Sequence, residues 1–285
     1  MDLVIALVVL TLIKATPIIY AALGGVISER SGVINIGLEG MMAAGAFTAA
    51  IASYATNAPL LGILAGIAAG ALAGLVLGIA ATRFKVDQIV AGTGINLICA
   101  GGAAYGLVLL FNQPGASVQV ASLGNQYWVL VVLAFALAAV MQWVLYRTPW
   151  GLRIRASGEN PSAVVSAGLD PLRLRIYAVI ISGALAGLGG AFLSIGELNL
   201  YSDGMTAGRG FIALAAVIFG RWHPLGATVA CVAFGFFEAL QYVLQGQIAW
   251  LPANAMQALP YIAALIALAG VTGRVRAPAA DGVPF

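Results

Sequence analysis

Nine apolar stretches, each close to the length of a bilayer crossing, follow one another along this chain of 285 residues. They run at about 3–27, 33–54, 60–82, 88–111, 127–146, 176–196, 208–221, 224–245 and 256–273. A helix needs roughly 20 apolar residues to span the hydrocarbon core, and most of the stretches qualify. Only 8% of the residues are charged, against roughly 25% in soluble domains, so a soluble fold is excluded. The expectation is an all-α membrane protein: a polytopic helical bundle of eight to ten spans, with residues 1–285 as one transmembrane domain and no linker. The N-terminal Met1-Asp2-Leu3-Val4-Ile5 lacks the basic n-region of a signal peptide and reads as the first span. The segment 208–221 is short enough to be re-entrant. Pro17 predicts a kink or break in the first span, because proline removes a backbone donor.

Charge fixes an orientation. If the stretches alternate as crossings, the loops near Arg30, Arg83 and Lys85, Arg147–Arg175, Arg221, and Arg274 and Arg276 share one side and hold eleven of the thirteen basic residues. The opposite loops, near 55–59, 112–126, 198–207 and 246–253, hold none. Basic loops stay in the cytoplasm, which puts the N-terminus outside and the C-terminus inside.

The loop 147–175 carries five arginines and, within them, a complete miniature helix: Asn160, Pro161, Ser162, Ala163, Val164, Val165, Ser166, Ala167 and Gly168. Asn160 can accept a backbone N–H as the N-cap, and Pro161 is preorganised for the first helical position. Gly168 supplies the left-handed residue that ends the helix. So short a helix is marginal in water alone. On a basic membrane face it reads as a docking element for another protein, the means by which a pore without its own engine is coupled to one.

Glycines Gly183, Gly187 and Gly190 lie near one helical face, as do Gly62, Gly66 and Gly70. Small residues let helices approach closely where lipid provides no hydrophobic drive, so a compact bundle is expected. Four in-span polar residues are candidates for the pathway or its gate. Glu39 falls just inside the second span, where an ionisable group is costly and is either functional or paired. Asn96 lies in the fourth stretch, Arg209 opens the short segment, and Glu238 sits deep in the penultimate one. Each also has a structural reading as an ion pair or buried hydrogen bond.

Other chemistries fall away. Lys14 and Lys85 lack the glycine that precedes a P-loop lysine, so the chain offers no ATP site of that kind. Gly92-Thr93-Gly94 lacks the third glycine and the βαβ context of a dinucleotide fingerprint. His223 is the only histidine, which leaves no His-based metal cluster or Ser-His-Asp triad. Cys99 and Cys231 sit in apolar spans and imply no disulfide framework.

Three stretches carry a resemblance: GGVISERSGVINIGLEGMM at 24–42, RASGENPSAVVSAGLDPLRLRIYAVIISGALAGLGGA at 155–191, and TAGRGFIALAAVIFGRWHPLGA at 206–227. They resemble bacterial ABC-transporter permeases of the branch that imports simple sugars and nucleosides, related to branched-chain amino-acid permeases. The resemblance implies a permease subunit, not an enzyme, which binds no cofactor and leaves ATP to a partner ATPase. It makes Pro161–Gly168 the coupling helix. The implied partners are an ABC ATPase, a second homologous permease and an extracytoplasmic substrate-binding protein, in a bacterial inner membrane and without nucleic acid. The alternatives are an ion-gradient-driven secondary transporter using Glu39 or Glu238, or a passive channel. Nucleosides lead among the substrates, ahead of simple sugars and branched-chain amino acids, with Tyr105, Phe111, Trp128 and Trp250 as aromatic groups suited to stacking on a base.

Overall fold

The computed structural model describes residues 2–245, residue 262 and residues 276–285; the expected span at 256–273 falls almost wholly outside them, as does Trp250. The described chain is built from helices: α1 Asp2–Arg30, α2 Leu38–Thr56, α3 Pro59–Thr82, α4 Gln88–Phe111, α5 Tyr127–Arg147, α6 Pro149–Glu159, α7 Pro161–Ser166, α8 Pro171–Ala191, α9 Arg209–Phe219 and α10 Pro224–Leu244. Among the described residues six helices are long and apolar enough to cross a membrane, α8 counting with the π-helical turn Phe192–Leu198 that prolongs it. The eight to ten expected spans thus stand at six there. The stretch at 33–54 becomes α2, 19 residues long but diluted by Glu39, Ser53 and small residues. The stretch at 208–221 becomes α9, 11 residues long, which at 1.5 Å per residue is about half a crossing.

α1 is the central post. Every residue from Lys14 to Glu29 is buried, and a helix that is apolar all round belongs in a core. It packs against α8, α9 and α10. The expected break at Pro17 does not occur: α1 runs through it unbroken. Proline is tolerated in such helices where neighbours and hydroxyl side chains re-satisfy the backbone, and Thr16 Oγ1 donates to the Leu12 carbonyl at 2.7 Å one turn back.

The two glycine faces read from the sequence meet. A Cβ on Gly70 would lie 2.1 Å from the Gly183 carbonyl oxygen, and one on Gly183 would lie 2.1 Å from that of Gly70. Gly187 stands as close to Gly66, and Gly190 to the Met42 carbonyl. The seam joins α3 to α8 with α2 against both. Here van der Waals contact of backbone on backbone replaces the side-chain core of a soluble protein.

At one end of the bundle the α4–α5 connection pairs with the segment after α8. Ser117 N–H donates to the Tyr201 carbonyl at 2.8 Å and Val120 N–H to the Asn199 carbonyl at 2.9 Å. At the other end, the sequence between α5 and α8 is more helical than a loop. α6 forms where Thr148 caps Gly151 at 3.2 Å with Pro149 at the first position. α8 begins at Pro171, capped by Asp170, so Arg173 and Arg175 lie on a helix.

Candidate functional site

Two helices start inside the bundle, where the first-turn N–H groups that any helix leaves unpaired need partners from outside the helix. Each start is satisfied by a side chain from a neighbouring helix. Asn96 of α4 accepts the Gly40 N–H at 2.7 Å on Oδ1 and donates from Nδ2 to the Ile36 carbonyl at 3.0 Å. It thereby serves both sides of the α1–α2 junction. Glu39 of α2 accepts from Gly208 N–H at 2.8 Å on one oxygen and from Gly210 N–H at 2.7 Å on the other. A carboxylate at a helix N-terminus is favoured by the unpaired N–H groups and by the dipole, so Glu39 is the cap of α9 supplied from α2. Gly210 has to be glycine for this approach, since a Cβ there would fall 2.4 Å from the Glu39 nitrogen.

The same junction carries a set of charges. Arg209, the first residue of α9, pairs with Glu238 of α10 and donates to the Met205 carbonyl at 3.0 Å and the Thr206 carbonyl at 3.3 Å. Lys14 of α1 pairs with Glu197 of the π-helical turn and stands 4.3 Å above the Tyr242 ring. All four charged side chains are at most 15% exposed. Lys14 lies about 24 Å along α1 from Arg30 at 1.5 Å per residue, well inside the bundle. The four pathway candidates therefore occupy one connected region: Arg209 and Glu238 pair directly, Glu39 reaches them through the first turn of α9, and Asn96 braces the helix that carries Glu39. Lys14 and Glu197 are not among the four candidates that the sequence offers; the signal that points to the pair is one cation and one acid, each in an apolar helical stretch.

Of the aromatic candidates, Phe111 packs edge-on against Tyr54 at 5.3 Å between ring centroids, Trp128 lies against Tyr127, and Tyr105 is 70% exposed on the outside of α4.

The miniature helix forms as the sequence predicts. Asn160 Oδ1 accepts from Ala163 N–H at 3.1 Å. Gly168 takes the left-handed conformation with φ 76°, while its N–H donates to Val165 and that of Leu169 to Val164. α7 rests on buried Val164 and turns Ser162, Ala163, Val165, Ser166 and Ala167 to the exterior. Its base is stiffened from behind. His223 stacks on Tyr146 at 4.8 Å, Arg155 lies 4.7 Å from the centre of that ring, and burial with the nearby Arg30 and Arg155 charges lowers the His223 pKa.

Two helices starting inside the bundle, one of them half a crossing long, charges held around their ends, and an exposed two-turn helix at one end define a transport permease, in which discontinuous helices surround the path. The chain belongs to the family described as branched-chain amino acid transport system / permease component, whose model matches residues 7–269. It is 38% identical to the guanosine ABC transporter permease protein NupQ of Bacillus subtilis, over 96% of this chain and 94% of that one. It is 35% identical to the nucleoside ABC transporter permease protein NupC of Lactococcus lactis, over the same shares. A second guanosine permease protein of Bacillus subtilis, NupP, is 26% identical over 79% of this chain and 70% of its own length. No solved structure matches. The chain is thus a multi-pass permease subunit of the ABC-importer type, a transport component and not an enzyme, and a permease of this type works with an ATPase and a substrate-binding protein.

Proposed function

We propose that this chain is one of two different permease subunits of an ATP-driven nucleoside importer in a bacterial inner membrane. The observation that carries the substrate is the match along nearly the whole length to relatives named for guanosine and nucleosides. The pairing rests on a contrast: this chain is far closer to NupQ than to NupP, two permease proteins named for guanosine in one organism. A NupP-like chain would complete the pore.

The basic-loop count supports an orientation with α7 in the cytoplasm, the N-terminus outside and the C-terminus inside. Asn160–Gly168 then meets the ATPase, which binds the ATP. Closure of the ATPase dimer displaces α7, and a bundle with two alternative packings converts that displacement into opening on one side or the other. The junction at Glu39, Asn96, Arg209 and Glu238, with Lys14 and Glu197, is the part of the path where helix ends and charges can change partners.

The test is uptake of labelled guanosine in cells with and without this chain, with unlabelled nucleosides, ribose and leucine as competitors. Loss in the deletion, competed by nucleosides alone, is the expected result. Unchanged guanosine uptake with loss of ribose or leucine uptake would replace the substrate. Uptake that survives ATP depletion but fails when the ion gradient is collapsed would replace the energy source. Placing a charge at Ala163 or a bulky residue at Gly168 should uncouple hydrolysis from uptake; normal coupling in both would remove α7 from that role.

A further inference from the structure

Arg175 is the largest fully buried side chain among the described residues, 1% exposed, and it has no carboxylate within salt-bridge distance there. Four backbone carbonyls take its place. Nε donates to Ser31 at 3.2 Å, Nη1 to Val283 at 2.9 Å, and Nη2 to Ser157 at 3.3 Å and Ala280 at 3.4 Å. These carbonyls belong to three separate segments: the turn after α1, the last turn of α6, and the segment Arg276–Phe285. A buried guanidinium is expensive unless its donors are matched, so the three segments are held in one arrangement or the arginine is left unpaired.

Further bonds close the knot. Ala280 N–H donates to the Gly158 carbonyl at 2.8 Å and Ala279 N–H to Glu159 at 3.2 Å. Gly32, at φ 97°, leaves room for the guanidinium, which a Cβ there would meet at 2.6 Å. Gly158 lies against the Arg30 carbonyl, where a Cβ would fall 2.3 Å away. Asn160, the cap of α7, follows Glu159 directly. The base of α7 is thereby fastened to the foot of α1, and α1 is the buried helix that carries Lys14 at the junction.

We propose that the segment Arg276–Phe285 is a tie between α7 and α1, with Arg175 as its positioning residue, so that a displacement of α7 is delivered to α1. The proposal rests on the reading of α7 as the ATPase contact. Without the tie, the end of α6 can move against the turn after α1, and ATP is spent with less movement at the junction.

The experiment uses the complete transporter, with its ATPase, second permease and binding protein, reconstituted in vesicles and supplied with labelled guanosine. The quantity read is ATP hydrolysed per guanosine imported, a ratio that the amount of folded complex does not change. A chain ending at Arg276, and Gly282→Val, where a φ of 75° strains any side chain and a Cβ would displace the end of Ile34, should each raise the ratio roughly threefold or more while the ATPase still co-purifies. Arg175→Met should do the same where it folds, and Arg175→Lys should recover part of the coupling. An unchanged ratio in the shortened chain overturns the proposal. Loss of the ATPase from that complex also overturns it, because the segment would then be a docking surface. Ala163→Glu separates the two readings: a normal ratio and full ATPase content in that variant would sink the role of α7 itself.

Discussion

Gly70 of α3 and Gly183 of α8 touch backbone to backbone with no side-chain bond between them, whereas the starts of α2 and α9, close as Gly40 and Gly210 also come to a neighbouring backbone, are held by the side chains of Asn96 and Glu39. The seam has no charge and no spare volume. The junction has charges, caps and a carboxylate shared by two N–H groups. In lipid the first kind of contact is specific because only hydrogen fits at the α-carbon. The second is specific because any unpaired polar group has nowhere to go. A seam of that kind moves as a block, and a junction of that kind can exchange partners, which is the division of labour a transport cycle needs.

The contrast can be broken by experiment. The largest effect is expected at the junction: Arg209→Met leaves Glu238 buried without its partner and should cost about 3–5 kcal/mol, while Arg209→Met combined with Glu238→Leu should recover much of it. Thermal unfolding in detergent, followed by size-exclusion of the surviving fraction, reads both; equal loss in the single and double variants would mean that the pair is not isolated as described. Next comes the seam. Gly70→Ala places a methyl against the Gly183 carbonyl and should cost about 1–3 kcal/mol, whereas Ala at Gly101, where a Cβ meets nothing within 4 Å, should be neutral or better. A smaller loss, about 1–2 kcal/mol, is expected for Asn96→Ala, which unpairs the Gly40 N–H and the Ile36 carbonyl; unfolding curves that superimpose on the parent would deny the cap.

The most local effect concerns pH at the foot of the bundle. Burial first, and then the nearby Glu29 charge, push the Asp281 carboxyl from its ordinary 3.8 to about 8 against the opposing influence of Arg175. The docked segment therefore favours the protonated acid. Docking is strongest below about pH 4, weakens as pH rises, and changes no further above about 8. Protease cleavage within 276–285 should accelerate across that window, and Asp281→Asn should flatten the profile.

Much of this was legible in the chain itself. The α4 boundaries fall where the apolar stretch begins and ends, because Asp87 caps the start and Asn112 takes the left-handed exit. The two glycine faces were visible at helical spacing, though not that they meet each other. α7 was legible to the residue, because its cap, its proline and its terminating glycine are all local. What stayed hidden is non-local. Glu39, Asn96, Arg209 and Glu238 were each visible as costly residues, yet nothing in their spacing says that Glu39 caps a helix 170 residues away. α6 was read as loop because its arginines and glycines hide a short amphipathic pattern. The unbroken α1 shows the limit of a local rule, since Pro17 forbids one backbone bond without deciding whether neighbours make up for it.

The seam also sets a timetable for assembly. Gly70 and Gly183 are about 110 residues apart, and a ribosome adding about 5–20 residues per second needs roughly 5–20 s to supply the second after the first. Through that interval α3 has α2 against Gly62 and Gly66, while the part of its face around Gly70 waits for a partner not yet made. Whatever covers that face meanwhile, lipid or the insertion machinery, has to leave without trapping it. A variant that filled the face would thus be most damaging to the nascent chain, before there is a transporter to inhibit.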